Sequence, residues 1–150
     1  MKAVIQRVTK ASVTVDGKII SSINSGILLL LGITNDDTMS DIDWLSKKII
    51  HLRIFDDENN IMNKSVLDID GDLIVISQFT LLANTKKGNR PSYIKAAKRE
   101  VAIPLYEQFI PKIEKELGKK VGTGIFGADM KIELLNDGPV TIILDSKRKE

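Results

Sequence analysis

Hydrophobic and polar positions alternate from the first residues of the chain. Between Lys2 and Thr9, Val4, Gln6 and Val8 share one parity and Ala3, Ile5 and Arg7 the other, the period-2 pattern of a β-strand. Strand character continues through Ala11–Val15, and Asp16-Gly17 is a two-residue hairpin signal. Lys18–Ile23 reads as the returning strand, Asn24-Ser25-Gly26 as a turn, and Ile27–Ile33 as an apolar strand. The opening third therefore predicts an antiparallel meander with at least one strand buried on both faces.

The period then changes. After the polar loop Thr34–Thr38, which offers N-cap residues, Ile42, Leu45, Ile49 and Leu52 recur at helical spacing from about Met39 to Leu52. Trp44 and His51 fall off that stripe or at its edge, and nothing in the sequence sets a nucleophile beside His51. Phe55–Met62 reads as a tight polar loop between short strands. It superficially resembles a calcium loop, but Ile61 stands where glycine is needed and Leu67 where glutamate is needed. Val66–Asp70, Gly71 and Leu73–Ile76 predict strand, turn and strand. A second helix is expected from about Ala96 or Val101 to Leu117, with Leu105, Phe109, Ile113 and Leu117 as its stripe and Gly118 as its cap. Pro104 fits a first turn, whereas Pro111 should kink or interrupt the helix. Val121–Phe126 and Met130–Leu135 read as strands joined by Gly127-Ala128-Asp129. Asn136-Asp137-Gly138-Pro139 makes a corner before a last strand, Val140–Leu144, and Lys147–Glu150 is a charged tail expected to fray.

One stretch joins this pattern to chemistry. Leu73-Ile74-Val75-Ile76 is a buried strand that runs into Ser77-Gln78-Phe79-Thr80, so groups able to hydrogen bond are delivered at the end of a rigid element. Taken alone, Ser77 and Thr80 could equally satisfy backbone groups at a strand end. Gly138-Pro139 is a second feature: proline fixes φ, and glycine leaves little side chain to obstruct a ligand. An ordinary turn would show the same pair.

Composition narrows the options. The chain has 150 residues, 43% hydrophobic and 28% charged, which predicts one soluble globular domain able to bury ~70% of its unfolded surface. The longest apolar run, Ile27–Leu31, is too short to span a bilayer, and no secretory leader pattern is present. Asn63-Lys64-Ser65 fits a glycosylation acceptor only by coincidence without export. There is no cysteine and a single histidine, which excludes disulfides, thiolate chemistry and multi-histidine metal sites. A net charge of +2 implies nothing by itself, but Lys86, Lys87, Arg90, Lys95, Lys98 and Arg99 lie in a stretch without an acid. Such a segment is either solvated loop or a phosphate contact, and Tyr93 within it could stack on a base.

Together these motifs resemble a known family. Met1-Lys2-Ala3-Val4-Ile5-Gln6-Arg7-Val8 with Ala11-Ser12-Val13-Thr14-Val15, then Ser77-Gln78-Phe79-Thr80-Leu81, Arg90-Pro91-Ser92, Gly122–Met130 and Asn136–Thr141 are similar, in order and spacing, to D-aminoacyl-tRNA deacylases (the D-tyrosyl-tRNA deacylase family). The resemblance covers the whole chain. It implies a mixed α/β fold with two packed, largely antiparallel β-sheets, barrel-like, and two main helices against one side. It also implies a cytoplasmic homodimer that cleaves the ester between a D-amino acid and the 3′-terminal ribose of tRNA, with neither metal nor cofactor. On this resemblance Ser77, Gln78, Phe79 and Thr80 line the catalytic site. A cis Gly138-Pro139 element, steadied by Arg7, projects its carbonyls into the partner's pocket. Phe126 and Met130 contact the terminal adenosine, and Lys86, Lys87 and Arg90 are candidates for holding tRNA.

Handedness explains why such parts are needed. Mirror-image esters contain the same atoms, so a pocket graded only by hydrophobicity cannot separate them. A wall of fixed backbone carbonyls can, because an L side chain strikes it. Glycine has no side chain to reject, so glycyl-tRNA is an expected further substrate. Threonine attack requires a base, and none is apparent near Thr80. Attack by water is therefore expected, with Phe79 and Thr80 backbone N–H groups stabilising the oxyanion and the tRNA 2′-hydroxyl assisting proton transfer. Two readings from other classes remain: a non-catalytic RNA-binding module using Lys86–Arg99, and a small-ligand enzyme unrelated to tRNA.

Overall fold

β1 (Lys2–Val15) is the strand on which the others lean. A computed structural model describes residues 1–149; Glu150, the end of the expected tail, lies outside the described residues. One edge of β1 pairs antiparallel with β3 (Gly26–Gly32) through Lys2–Val8 and with β2 (Lys18–Ile23) through Ala11–Val15. The β1–β2 connection places Asp16 at φ 48° and Gly17 at φ 76°, the paired left-handed residues of a tight hairpin turn. Along its other edge β1 pairs with β8 (Lys131–Asp145). Beyond β3, β6 (Asp72–Ser77) and then β7 (Gly122–Thr123) add in parallel.

The sheet curls into a barrel-like body because its long strands are apolar on both faces. Val8, Ala11, Val13, Ile23, Leu28, Ile74 and Ile76 face one another inside the curl, with Ile132 and Leu134 of β8 packed against them. The opposite parity, Ala3, Ile5, Ile27, Leu29, Leu31, Leu73 and Val75, lies under two helices. These are α1 (Met39–Ile50), which contributes Ile42, Leu45 and Ile49, and α2 (Arg99–Leu117), which contributes Phe109 and Ile113. Each such side chain contributes about 1.5–3 kcal/mol by leaving water. The expected fold class holds, with two refinements: β3–β6 and β6–β7 are parallel, and the second sheet is only the hairpin β4 (Phe55–Asp56) and β5 (Met62–Lys64).

Several local expectations are corrected. Val66–Asp70 is a series of turns, not a strand. The Asp68 carboxylate accepts from the Ser65 amide and hydroxyl, both at 2.7 Å, while Gly71 N–H donates to the Val66 carbonyl at 2.9 Å. α2 passes through Pro111 unbroken, and Pro104 is beyond its first turn. Both prolines face solvent, where water can satisfy the carbonyls they leave without a donor. Of Val121–Phe126 only Gly122–Thr123 pairs as strand. The corner at Gly138-Pro139 does not end a strand: Gln6 pairs with Thr141 and Val8 with Asn136, so Asp137–Val140 loop out opposite Arg7 and β8 then resumes. The expected frayed tail is tied down at Lys147, whose Nζ lies 2.9 Å from Asp41 Oδ2. Asp41 is buried, which raises its pKa, but hydrogen bonds from Lys147, Ser146 and Thr38 outweigh burial and hold the carboxyl below the usual range.

Candidate active site

The last ladder bond of β6 runs from Gln78 N–H to the Leu31 carbonyl at 2.7 Å. The chain then leaves the sheet and closes one 3-10 turn, Phe79–Leu82. That turn packs on the end of β3 because Gly32 has no side chain. A Cβ there would stand 3.1 Å from the Gln78 carbonyl oxygen and 3.2 Å from Leu81 Cβ. Phe79 and Thr80 open the turn, so their N–H groups find no carbonyl within it.

A cavity of about 410 Å³ opens beside this turn. Leu31, Ile33, Ile76 and Ile132 supply its apolar lining, and Ser77, Gln78 and Phe79 lie on one side. Phe126–Met130, the segment between β7 and β8, forms another side. Two aromatic contacts set the walls. Phe79 meets Tyr93 edge-on with centroids 5.0 Å apart, and Phe126 meets Tyr106 at 5.7 Å. Tyr106 is fixed in turn by donating its hydroxyl to the Val75 carbonyl at 2.9 Å, and burial pushes its pKa up to about 12.

Five expected residues therefore share one cavity: Ser77, Gln78, Phe79, Phe126 and Met130. Thr80 is exposed and does not line it; its Oγ1 accepts from Gln78 Nε2 at 2.6 Å. His51 caps the C-terminus of α1 and does not line this cavity. Lys86, Lys87 and Arg90 project from the exposed loop after the 3-10 turn, and Lys86 borders a second, more polar cavity that the other two do not line. Sequence reasoning missed Arg99 and Gly127 as cavity residues. Arg99 Nη2 lies 2.8 Å from where a Gly127 Cβ would stand, so a side chain at 127 would displace the guanidinium. Both residues were visible only as part of a basic run and of a turn, since their meeting depends on where α2 docks. Among the described residues no group of His, Cys, Asp or Glu is gathered to hold a metal ion.

Arg7, Gly138 and Pro139 occupy the far end of the sheet. Arg7 pairs with Ile27 and Ser77 with Leu31, two strands away. That register separates them by roughly 13 Å along the strands and roughly 10 Å across them. The Gly138-Pro139 bond is cis, Gly138 has φ 122°, and both residues are exposed. Arg7 is buried beneath them. Its Nε donates to the Asp137 carbonyl at 3.1 Å and its Nη1 to the Ile54 carbonyl at 2.8 Å, while the Asp56 and Asp137 carboxylates lie at 3.4 and 3.2 Å.

The chain matches the family described as D-Tyr-tRNA(Tyr) deacylase over residues 4–145. It is 67% identical over 150 residues to a D-aminoacyl-tRNA deacylase of Flavobacterium psychrophilum, and 63% identical over 150 residues to one of Bacteroides thetaiotaomicron; each comparison covers 100% of both chains. Among solved structures it resembles a c-Myc DNA unwinding element binding protein, with TM-score 0.89, 44% identity and coverage of 97% of this chain and 98% of that one. It shares its fold with a probable eukaryotic D-amino acid tRNA deacylase, with TM-score 0.82, 15% identity and coverage of 95% and 97%. With the match running from the first residues of β1 to the last of β8, the chain belongs to the D-Tyr-tRNA(Tyr) deacylase family.

Proposed function

We propose that this protein hydrolyses the ester joining a D-amino acid to the 3′-terminal ribose of tRNA, working in the cytoplasm as a homodimer without metal or cofactor. The observation that carries the reading is the cavity at the end of β6. It is apolar within and polar at the Ser77–Gln78 rim, and it occurs in a chain of this family. Phe126 and Met130 are suited to receive the terminal adenosine, and Lys86, Lys87 and Arg90 to meet the RNA backbone. Water adds to the ester carbonyl, and the Phe79 and Thr80 N–H groups stabilise the oxyanion. The bond to the ribose oxygen then breaks, and that oxygen takes the proton, relayed by the neighbouring 2′-hydroxyl. The protein mainly positions the ester. The unshared backbone donors at the head of the turn support this, as does a Thr80 hydroxyl with no basic side chain bonded to it.

Handedness is read by the Gly138-Pro139 carbonyls of the partner subunit. The support is their position: exposed, steadied by Arg7, and too far from Ser77 in the same chain to serve that chain's own cavity. An L side chain would strike these carbonyls, whereas a D side chain or the hydrogen of glycine would not.

Deacylation of paired D- and L-tyrosyl-tRNA, with glycyl-tRNA alongside, tests the reading. Rapid release from the D ester, none from the L ester and slower release from glycyl-tRNA is the expected order. Equal rates on the mirror-image esters would overturn it. In the same assay Thr80→Ala should keep its turnover within roughly tenfold, whereas a threonine nucleophile would lose on the order of 10⁴-fold.

A further inference from the structure

The second cavity, about 570 Å³, lies on the other side of the 3-10 turn from the first. Three segments form the wall between them, each giving neighbouring residues to both sides. Ile33 faces the first cavity and Thr34 the second, Phe79 the first and Leu82 the second, Ala97 the first and Lys95 the second. The step from Phe79 to Leu82 in a 3-10 turn spans about 6 Å. A chain molecule whose end occupies the first cavity thus needs only a short hop to enter the second.

The charge of this groove is lopsided. Lys2, Lys86, Lys95, Lys147 and Arg148 line it, against the carboxylates of Asp36 and Asp145. Lys147 is committed to Asp41, with Asp36 and Asp37 at 3.9 and 3.6 Å. Asp36 accepts from the Thr34 hydroxyl at 2.6 Å, and Asp145 from the Lys147 amide at 2.9 Å. Among the described residues Lys2, Lys86, Lys95 and Arg148 have no carboxylate within ion-pair distance. They come from the start of β1, the loop after the turn, the approach to α2 and the C-terminal tail. Four unrelated segments thus converge on one groove with an excess of positive charge. Local sequence cannot explain that convergence, since only Lys86 and Lys95 belong to the basic run.

We infer that this groove is a phosphate track that grips the backbone of the acceptor end of tRNA just upstream of the ester-bearing nucleotide. The inference rests on the deacylase reading for the occupant of the first cavity, and it adds Lys2, Lys95 and Arg148 to the residues that hold the RNA. A phosphodiester backbone fits the chemistry: a repeating anion met by cations from several directions, with no aromatic platform among the lining residues to favour stacked bases. Such contacts release counterions, so the groove makes affinity dependent on salt while leaving amino-acid selectivity to the first cavity.

The test is the double charge reversal Lys95→Glu with Arg148→Glu, both at exposed positions, in the full chain. Binding of uncharged tRNA is followed from low to moderate salt, and turnover is compared on D-tyrosyl-tRNA and on the D-tyrosyl ester of adenosine, which has no phosphate. The expected result is a salt slope shallower by roughly 1.5 for two lost contacts, with the ratio of kcat/KM on the tRNA ester to that on the adenosine ester falling at least about tenfold. An unchanged slope with an unchanged ratio overturns the track, as does an equal fall on both esters at an unaltered unfolding midpoint. Failure of the wild-type protein to cleave either ester would instead sink the deacylase reading, while the uncharged-tRNA slope would still decide the groove.

Discussion

Arg7 answers three demands with one guanidinium: it satisfies the Ile54 carbonyl, satisfies the Asp137 carbonyl, and neutralises two half-exposed carboxylates. Its place in the N-terminal motif was legible, but its partners were not, because they come from residues 47 and 130 positions away. Tyr106 is the converse case. The Leu105, Phe109, Ile113 and Leu117 spacing put it off the expected stripe, yet it is buried and Leu105 only half-buried, because α2 is turned so that its hydroxyl meets the Val75 carbonyl. Burial raises its pKa from 10.0 to about 12, so the folded state holds the proton more tightly than the unfolded chain. The resulting stability is fully present below pH 10 and is lost as pH climbs toward 12, an effect of about 2–3 kcal/mol. Denaturant unfolding followed from pH 8 to 12 should show this decline, and Tyr106→Phe should flatten it while costing about 1 kcal/mol at neutral pH. An identical decline in the variant would assign it to the lysines instead.

At the scale of elements, the strong periodicities were readable and the interruptions were not. The first hairpin, both helices and β6 appear where alternation and helical spacing predict them. Val66–Asp70 alternates like a strand but is coiled by the Ser65–Asp68 bonds, side-chain chemistry that competes with ladder pairing. Pro111 shows tertiary packing overriding a local rule: Phe109 and Ile113 on either side are wholly buried, and they hold the helix through the missing hydrogen bond. The proline therefore still costs stability without breaking the element. Pro111→Ala should restore the bond to the Glu107 carbonyl and raise unfolding free energy by about 1–2 kcal/mol, after allowing for the more flexible unfolded chain. Urea denaturation measures this, and a variant no more stable than the parent would mean that the helix has already relaxed around the ring.

For the whole molecule, the face of the sheet opposite the helices carries the weight of the proposed dimer. Leu30, Val4 and Ile143 form one row across β3, β1 and β8, and Gln6 and Thr141 continue it on β1 and β8. Leu30 and Val4 are half-buried, and Ile143 is 68% exposed on a single chain. Such a row beside the Gly138-Pro139 loop gives a second copy an apolar surface to cover. Ile143→Glu should shift sedimentation toward the monomer and abolish turnover on D-tyrosyl-tRNA, while helix content by circular dichroism stays intact. Full activity from a monomeric variant would remove the partner's carbonyls from the mechanism. No pattern within one chain could have located this face, since its alternation is that of any half-buried sheet.

The loop at Asp137–Val140 leaves the β1–β8 ladder opposite Arg7, and pairing resumes beyond it with a shifted register. A detour of that kind is held to the frame at one point, the Arg7 bond to the Asp137 carbonyl, while residues 141–145 pair with β1 on their own. The chain can therefore retune what its apex touches by substitution at a handful of positions, with the barrel and both cavities left undisturbed.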